Sequence, residues 1–159
     1  MSHRFPVFSP GLSAILLLSL LPGVGYAEAA APEVTSHELE ITGNDSMEFI
    51  PTSVTVPAGV PIRVTFRNVG KLPKFIMGHN LVILRIGTNV DAFGEAGSTE
   101  KKNGYISESM RDQVIAASGV IGPRRHAVLE LPPLQAGDYP FVCTFPGHHK
   151  KMRGVMTVK

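Results

Sequence analysis

The stretch that decides the fold is C-T-F-P-G-H-H-K-K-M, residues 143–152, close to the C-terminus. Strand-like segments flank it on both sides, so the stretch is predicted to be the loop between the last two strands. Cys143 is the only cysteine of the 159 residues, and His148 and Met152 follow it in the same loop. A thiolate, an imidazole and a thioether together form a ligand set that favours copper. A second imidazole would complete that set.

The first residues are predicted to be a secretory signal peptide, residues 1–27, with the cut falling anywhere from 27 to 31. A basic start precedes an apolar run at 12–21, and small residues follow it. The run is too short for a typical spanning helix, although a retained membrane anchor is the less favoured alternative. No cysteine lies near the cut to carry a lipid. Residues 28–159 are therefore expected to form one periplasmic domain without a membrane span.

Export changes the interpretation of Cys143, because oxidising compartments favour disulfides. A lone cysteine in such a compartment is buried, paired between chains, or bound to a metal. The buried inert thiol is the commoner case. The histidine and methionine of the same loop favour the metal. The near-neutral net charge of +2 gives no sign of nucleic-acid binding.

Short strands separated by proline and glycine make up most of the chain, because apolar and polar residues alternate with a period of two. A more continuous apolar run, residues 81–86, is predicted to be a strand covered on both faces. Seven or eight short strands with few helical patterns predict an all-β, antiparallel sandwich or barrel. The predicted strands centre on Leu39 and Ile41, Val54 and Val56, Ile62 to Phe66, 81–86, His126–Leu131, 138–143 and Arg153–Val158.

One segment, residues 87–118, breaks this rhythm because it is rich in glycine and charge. Thr88 or Asn89 is placed to cap a short helix over 89–96. The chain is then expected to return to an extended conformation near Val114–Ala117. The segment is predicted to lie outside the sheets, since a structureless loop of this length is unusual in a small domain.

The second imidazole must come from elsewhere in the chain. His3 leaves with the signal peptide, His37 lies by the first predicted strand, and His126 lies in a polar turn. His79 lies between a proline-containing loop and the apolar strand, where the core would hold it. A single histidine is more often a surface or hydrogen-bonded residue than a ligand. The joint presence of His79 and the ligand candidates of the C-terminal loop nevertheless favours His79 as the second imidazole.

Three runs of the chain resemble the cupredoxins, and among them the azurins. They are I-T-G-N-D-S-M-E-F at 41–49, L-P-K-F-I-M-G-H-N at 72–80 and F-V-C-T-F-P-G-H at 141–148. Four residues separate Cys143 from His148 and three separate His148 from Met152, which is the azurin spacing rather than the shorter plastocyanin one. The resemblance implies a Greek-key β-sandwich or barrel. The chain departs from azurins because it lacks their usual disulfide.

The resemblance also implies a type 1, or blue, copper site with one copper ion that cycles between Cu(I) and Cu(II). His79, Cys143 and His148 would be its trigonal ligands and Met152 a long axial one. The remaining residues of the implied site are the weakly bound backbone carbonyl of Gly78 and the pair Asn80 and Thr144, which would brace the two ligand loops.

An apolar patch for transient docking is implied around the loop histidine. Such patches suit fast exchange rather than tight binding. The expected partners are redox proteins such as c-type cytochromes or reductases. The matching patch residues are Met47, Leu72, Ile76, Met77, Phe145 and Pro146.

A basic run beside this patch has two interpretations. His149, Lys150, Lys151 and Arg153 could steer an acidic partner. They could equally form a solvated loop, as charge runs usually do.

The function expected from the resemblance is that of an exported single-electron carrier, not an enzyme. An oxidase or copper nitrite reductase would need a further histidine beside the cysteine, where Val142 lies instead. A periplasmic copper storage or delivery protein is the main alternative, because the same ligands hold Cu(I). A zinc site is less favoured because an axial methionine is not expected in one. A metal-free adhesion or signalling domain is less favoured because the four ligand residues would be superfluous in it.

Overall fold

The computed structural model describes residues 35–159, so the signal-peptide prediction lies outside the described residues. Within this range, no helix is long and apolar enough to cross a bilayer. Residues 35–159 contain nine strands, two α-helices and two 3₁₀ segments. The helices are α1 Lys74–Met77 and α2 Val90–Gly97, and the 3₁₀ segments are Lys101–Asn103 and Glu108–Gln113. The strands are β1 His37–Gly43, β2 Phe49–Ile50, β3 Ser53–Val56, β4 Ile62–Asn68, β5 Val82–Leu84, β6 Val114–Ala117, β7 His126–Leu131, β8 Gly137–Val142 and β9 Arg153–Val158.

The strands form two sheets that pack as a sandwich. One sheet has the order β2-β1-β4-β7 and the other β3-β9-β8-β5-β6. Both sheets are mixed: β1 pairs with β4 in parallel, and so does β3 with β9, whereas the other pairs are antiparallel. The sandwich prediction is confirmed, but a purely antiparallel arrangement is wrong. Alternation along a strand specifies which face is buried and not the direction of the neighbour.

Aromatic side chains fill the space between the sheets. Phe66 of β4 and Phe141 of β8 both contact Phe49 of β2 edge to face, with ring centroids 5.8 and 5.4 Å apart. Edge-to-face pairs of this kind contribute about 0.5–1.5 kcal/mol beyond their buried area. The core continues to Cys143 and Met152 at one end of the sandwich, so the C-terminal loop is anchored in it.

The strand β5 is covered on both faces, as the continuous apolar run predicts. Ile83 belongs to the core between the sheets, while Val82 and Leu84 pack with Phe93 of α2 and with Ile106. The observed strand is shorter than the predicted 81–86, since Ile86 is exposed. This second cluster is the reason that the segment 87–118 folds over the sheet.

The helix in this segment, α2, is confirmed within one residue of the predicted 89–96. Asn89 is its N-cap, and its side-chain oxygen accepts a hydrogen bond from the Ala92 amide at 3.1 Å. The chain also returns to a strand at Val114–Ala117 as expected. Sequence patterns do not predict the short strand β2, helix α1 or the two 3₁₀ segments, because these elements have too few residues to show a period.

Candidate metal centre

His79 lies just before β5 and is fixed by its backbone. Its amide donates to the Ile121 carbonyl at 3.1 Å, and the Ile121 amide donates to the His79 carbonyl at 2.8 Å. Asn68 supports the same bridge, because its side-chain amide donates to the Ile121 carbonyl at 3.3 Å. The imidazole is fully buried. A ligand held in this way has little freedom to move with the charge of a bound ion.

The C-terminal loop turns back on itself between β8 and β9. The Cys143 amide donates to the Met152 carbonyl at 2.9 Å, and the Met152 amide donates to the His148 carbonyl at 2.8 Å. The His148 amide donates to the Phe145 carbonyl at 3.0 Å. Gly147 has a φ of 81°, which a residue with a side chain adopts only with strain. These bonds bring the ends of the loop together and direct His148 towards Cys143.

The tertiary structure brings His79, Cys143 and His148 into one buried cluster. The Nδ1 atoms of the two imidazoles are 3.2 Å apart. The Cys143 Sγ atom is 3.9 Å from Nδ1 of His79 and 3.6 Å from Nδ1 of His148. Among residues 35–159, this is the one group of three or more histidine, cysteine or acidic side chains placed to hold a metal.

Burial keeps all three side chains in their neutral forms. Desolvation raises the pKa of the Cys143 thiol to about 12. Desolvation, with a smaller contribution from the charge of His79, lowers the pKa of His148 to about 4. Desolvation also lowers the pKa of His79, opposed in part by the Asn44 carbonyl and the charge of Asp45. The two imidazoles therefore offer free lone pairs at neutral pH, while the thiol must lose a proton before it can bind a metal.

These donors fit a copper ion. Donors that share one first-row ion, with bonds of about 2.0–2.3 Å, lie roughly 3–4 Å from one another. The observed separations fall in that range. Two imidazoles and one thiolate are the donors of blue copper sites. The site thus has the dimensions and the chemistry that copper requires.

The family model described as "Copper binding proteins, plastocyanin/azurin family" matches residues 35–159 of this chain. The chain belongs to this family. It is 35% identical over 127 residues to the azurin of Pseudomonas denitrificans, covering 76% of this chain and 97% of that protein. It is 31% identical over 153 residues to the azurin of Pseudomonas aeruginosa, covering 93% and 97% of the two chains. Copper is therefore the cofactor of this cupredoxin.

Solved structures of cupredoxins show the same fold. Auracyanin from the photosynthetic bacterium Roseiflexus castenholzii superposes with a TM-score of 0.69 at 31% identity, covering 78% of this chain and 98% of that one. An azurin, Az-iso2, from Methylomonas sp. strain J superposes with a TM-score of 0.70 at 28% identity, covering 79% and 99%.

The two remaining ligand candidates lie beside the cluster. Met152 is fully buried in the core. A Cβ atom on Gly43 would lie only 2.6 Å from the terminal methyl of Met152, so the glycine leaves room for the methionine. Gly78 is enclosed as well, because a Cβ there would lie 2.5 Å from the Lys74 carbonyl oxygen and 2.7 Å from a methyl of Val120. The residue before His79 therefore has no room for a side chain.

Asn80 and Thr144 connect the two segments that carry the site. The Asn80 side-chain oxygen accepts from the Thr144 amide at 2.8 Å, and the Asn80 side-chain amide donates to the Thr144 hydroxyl at 2.8 Å. The same amide group donates to the Gly104 carbonyl at 3.2 Å. Both side chains are fully buried. One asparagine thus joins His79, Cys143 and the loop after α2.

The six residues of the apolar patch differ in exposure. Leu72 and Ile76 are 41% and 50% exposed, and Pro146 is exposed too. Met47 and Phe145 are half-buried and pack on the core, and Met77 is half-buried. Sequence inspection missed Phe75, which is 81% exposed although it lies in the same run as Leu72 and Ile76. Its place beside Ile76 in the short apolar run of residues 72–77 was the available signal.

The basic run beside the patch is not a free cationic cluster. His149 is only 5% exposed. Lys151 pairs with Glu48 at 3.2 Å, and Arg153 pairs with Asp91 at 3.1 Å. Lys150 of the same run is exposed, so the interpretation of this run as a steering surface stays a prediction. The acidic partners come from distant parts of the chain, so the run itself carried no sign of them.

Proposed function

We propose that this cupredoxin is an exported, periplasmic carrier that moves single electrons between redox proteins, and that it is not an enzyme. Copper, when bound, supplies the Cu(I)/Cu(II) couple. His79, Cys143 and His148 would hold the ion as its three close ligands, and Met152 and the Gly78 carbonyl would add weaker contacts.

The buried cluster of two imidazoles and one thiol is the observation that carries this proposal. Its donors are held by backbone bonds on one side and by Asn80 on the other. A ligand set that stays in place when the charge of its ion changes needs little reorganisation during electron transfer. The dry surroundings and the hydrogen bonds of neighbouring residues tune the reduction potential of such a site.

The partner surface proposed for this carrier is the apolar patch around the ligand loop. Phe145 packs against His148 with ring centroids 4.9 Å apart, so the patch reaches the side chain of a ligand. Leu72, Ile76 and Pro146 supply exposed area around it. Small apolar contacts of this kind favour rapid exchange with c-type cytochromes or reductases.

The visible spectrum of the copper-loaded mature protein tests the proposal. An intense blue thiolate-to-copper band is expected, and Cys143→Ser and His79→Asn are expected to remove it. His126→Asn is the matched control, because His126 is exposed and does not belong to the cluster of His79, Cys143 and His148. Absence of the blue band from the unmodified protein would overturn the copper assignment.

Voltammetry separates a carrier from a copper store. A carrier is expected to give a reversible one-electron wave without releasing its ion in either oxidation state. The storage alternative predicts loss of copper on oxidation or transfer of Cu(I) to a chelator. A single enclosed site favours the carrier, because a store benefits from several accessible sulfur or imidazole groups.

A further inference from the structure

A groove of about 520 Å³ opens beside the ligand loop. Helix α1 forms one wall with Lys74 and Phe75, and the loop after α2 forms the other with Lys101, Lys102 and Tyr105. Phe145, Val120 and Gly104 complete the lining. Of these residues, only Phe145 belongs to the six-residue patch.

Aromatic rings connect the groove to the candidate metal ligands. Tyr105 packs edge to face on Phe145, with ring centroids 5.3 Å apart, and Phe145 packs on His148 at 4.9 Å. Phe75 on the opposite wall is 81% exposed. An occupant of the groove would therefore touch rings that continue directly to a ligand side chain.

The backbone at Tyr105 is held in an unfavourable conformation. Its φ is 64°, in the left-handed region that bulky residues avoid. Its amide donates to the Glu100 carbonyl at 2.9 Å, and its carbonyl oxygen lies so close to Gly97 that a Cβ there would be 2.2 Å away. Conformations of this kind persist where the surroundings fix them, and they are common at binding sites.

The lysines of the groove have no acidic partners in the part of the chain that the structure describes. Within residues 35–159, none of Lys74, Lys101 and Lys102 lies within 4.0 Å of a carboxylate, in contrast to Lys151 and Arg153. The three lysines lie on two separate elements, one on each side of the groove. Cations spread in this way complement several carboxylates on a surface better than a single small anion.

We infer that this groove, with Phe75 and Tyr105 as apolar walls and Lys74, Lys101 and Lys102 as a cationic rim, docks an acidic redox protein. The inference rests on the proposed carrier function and specifies the chemistry of the partner. The partner places an apolar group between Phe75 and Tyr105, and its carboxylates pair with the lysines. Bound copper would accept one electron per encounter from the partner's reduced redox centre, so that Cu(II) becomes Cu(I) as that centre is oxidised by one electron.

Stopped-flow reduction of the copper-loaded protein by a reduced, acidic c-type cytochrome tests the charged part. The variant Lys101→Glu is expected to lower the bimolecular rate constant by about tenfold at low ionic strength, because steering accelerates association by about 10–10³. Lys159→Glu is the matched control, since Lys159 follows the far end of β9. Its rate constant is expected to change less than twofold. Equal effects of the two charge reversals at low salt would overturn the inference.

A second variant tests the apolar contact of the proposed docking groove. Phe75→Ser is expected to lower the rate constant severalfold at every salt concentration, because the side chain supplies contact area and not charge. Ile86→Ser is the matched control, since Ile86 is also exposed, at 54%, but follows the opposite end of β5 from His79. A Phe75→Ser rate equal to that of Ile86→Ser would also overturn the inference.

Voltammetry and the blue band distinguish failure of the docking inference from failure of the carrier proposal. All four variants are expected to keep the unmodified spectrum and potential, because none of the changed residues contacts the cluster. Loss of reversible cycling in the unmodified protein would refute the carrier function itself. Intact cycling with unaltered rates in the groove variants would refute only the docking inference.

Discussion

Asn80 connects the two segments that carry the metal centre. It forms hydrogen bonds with both the amide and the hydroxyl of Thr144, and it reaches the Gly104 carbonyl. The groups bonded to Asn80 are buried or partly buried. Water therefore cannot easily replace the hydrogen bonds of the asparagine. Its role is to hold the segment of His79 against the segment of Cys143.

Replacement of Asn80 by alanine is expected to destabilise the protein and to alter the copper site. The Thr144 amide and hydroxyl would lose their partners, which costs about 1–3 kcal/mol for buried polar groups. Thermal unfolding and the position of the blue band measure the two effects. Asn103→Ala is the matched control, because the side chain of that exposed asparagine donates to the Glu100 carboxylate in a hydrogen bond that solvent can reach. Equal stability of the two variants would contradict the bracing role.

Cys143 is the residue whose protonation state changes on copper binding. Its pKa is raised to about 12, so the metal-free protein carries a neutral thiol at neutral pH. The pKa of His148 is lowered to about 4, so the imidazole has already lost its proton there. Metal binding therefore competes with one proton near pH 7 and with more as the pH falls towards 4.

Copper binding is expected to release one proton per ion between pH 6.5 and 8, as measured with an indicator in weakly buffered solution. Release is expected to exceed one proton as the pH approaches 4, and the apparent affinity falls in the same direction. Cys143→Ser is expected to abolish the release near pH 7. Release of two protons per ion at pH 7 would show that an imidazole is still charged in the metal-free protein.

At the scale of elements, helix α2 supports the ligand loop from outside the sheets. A Cβ atom on Gly94 would lie 2.3 Å from Cβ of His149 and 2.4 Å from its Cγ. The helix thus approaches the residue after His148 as closely as a glycine allows. The imidazole of His149 fills this contact, which explains why the residue is buried despite its basic surroundings.

Gly94→Ala is expected to destabilise the protein and to shift the blue band. Alanine favours an exposed helix by about 1 kcal/mol over glycine, but overlap in a packed contact costs about 1–3 kcal/mol, and the overlap here involves a rigid Cβ. Unfolding free energy and the visible spectrum measure the outcome. Gly119→Ala is the control, because no heavy atom lies within 4 Å of a Cβ there. A gain in stability for Gly94→Ala would show that α2 does not press on the loop.

At the scale of the whole molecule, the metal centre links parts of the chain that are far apart in sequence. Cys143 and His148 lie 64 and 69 residues after His79, respectively. A bound ion therefore acts as a crosslink between the start of β5 and the loop before β9. The chain has one cysteine and cannot form an intrachain disulfide, so a bound ion would be a crosslink that no disulfide duplicates.

Copper removal is expected to lower the unfolding temperature of the whole domain. Binding to the native state alone stabilises it by about 4 kcal/mol when free ligand is 1,000 times its dissociation constant. For a domain of this size the change corresponds to a shift on the order of 10 °C. Scanning calorimetry with and without copper measures it, and His126→Asn is expected to keep the shift. A shift retained in Cys143→Ser would contradict crosslinking through the thiol.

The sequence by itself determined the features that depend on local spacing. The loop of 143–152 carries its ligand candidates within ten residues, the alternation of β4 specifies its buried face, and Asn89 begins α2 where its cap predicts. Family resemblance then pointed to copper. Each of these features is a matter of neighbours along the chain, which a linear pattern records.

Only the tertiary structure decided how distant segments meet. It paired β1 with β4 and β3 with β9 in parallel, buried His149 against Gly94, and gave Lys151 and Arg153 their acidic partners. It also placed Phe75 and Tyr105 on facing walls of one groove. No local pattern encodes these contacts, because each depends on residues that folding brings together from separate elements.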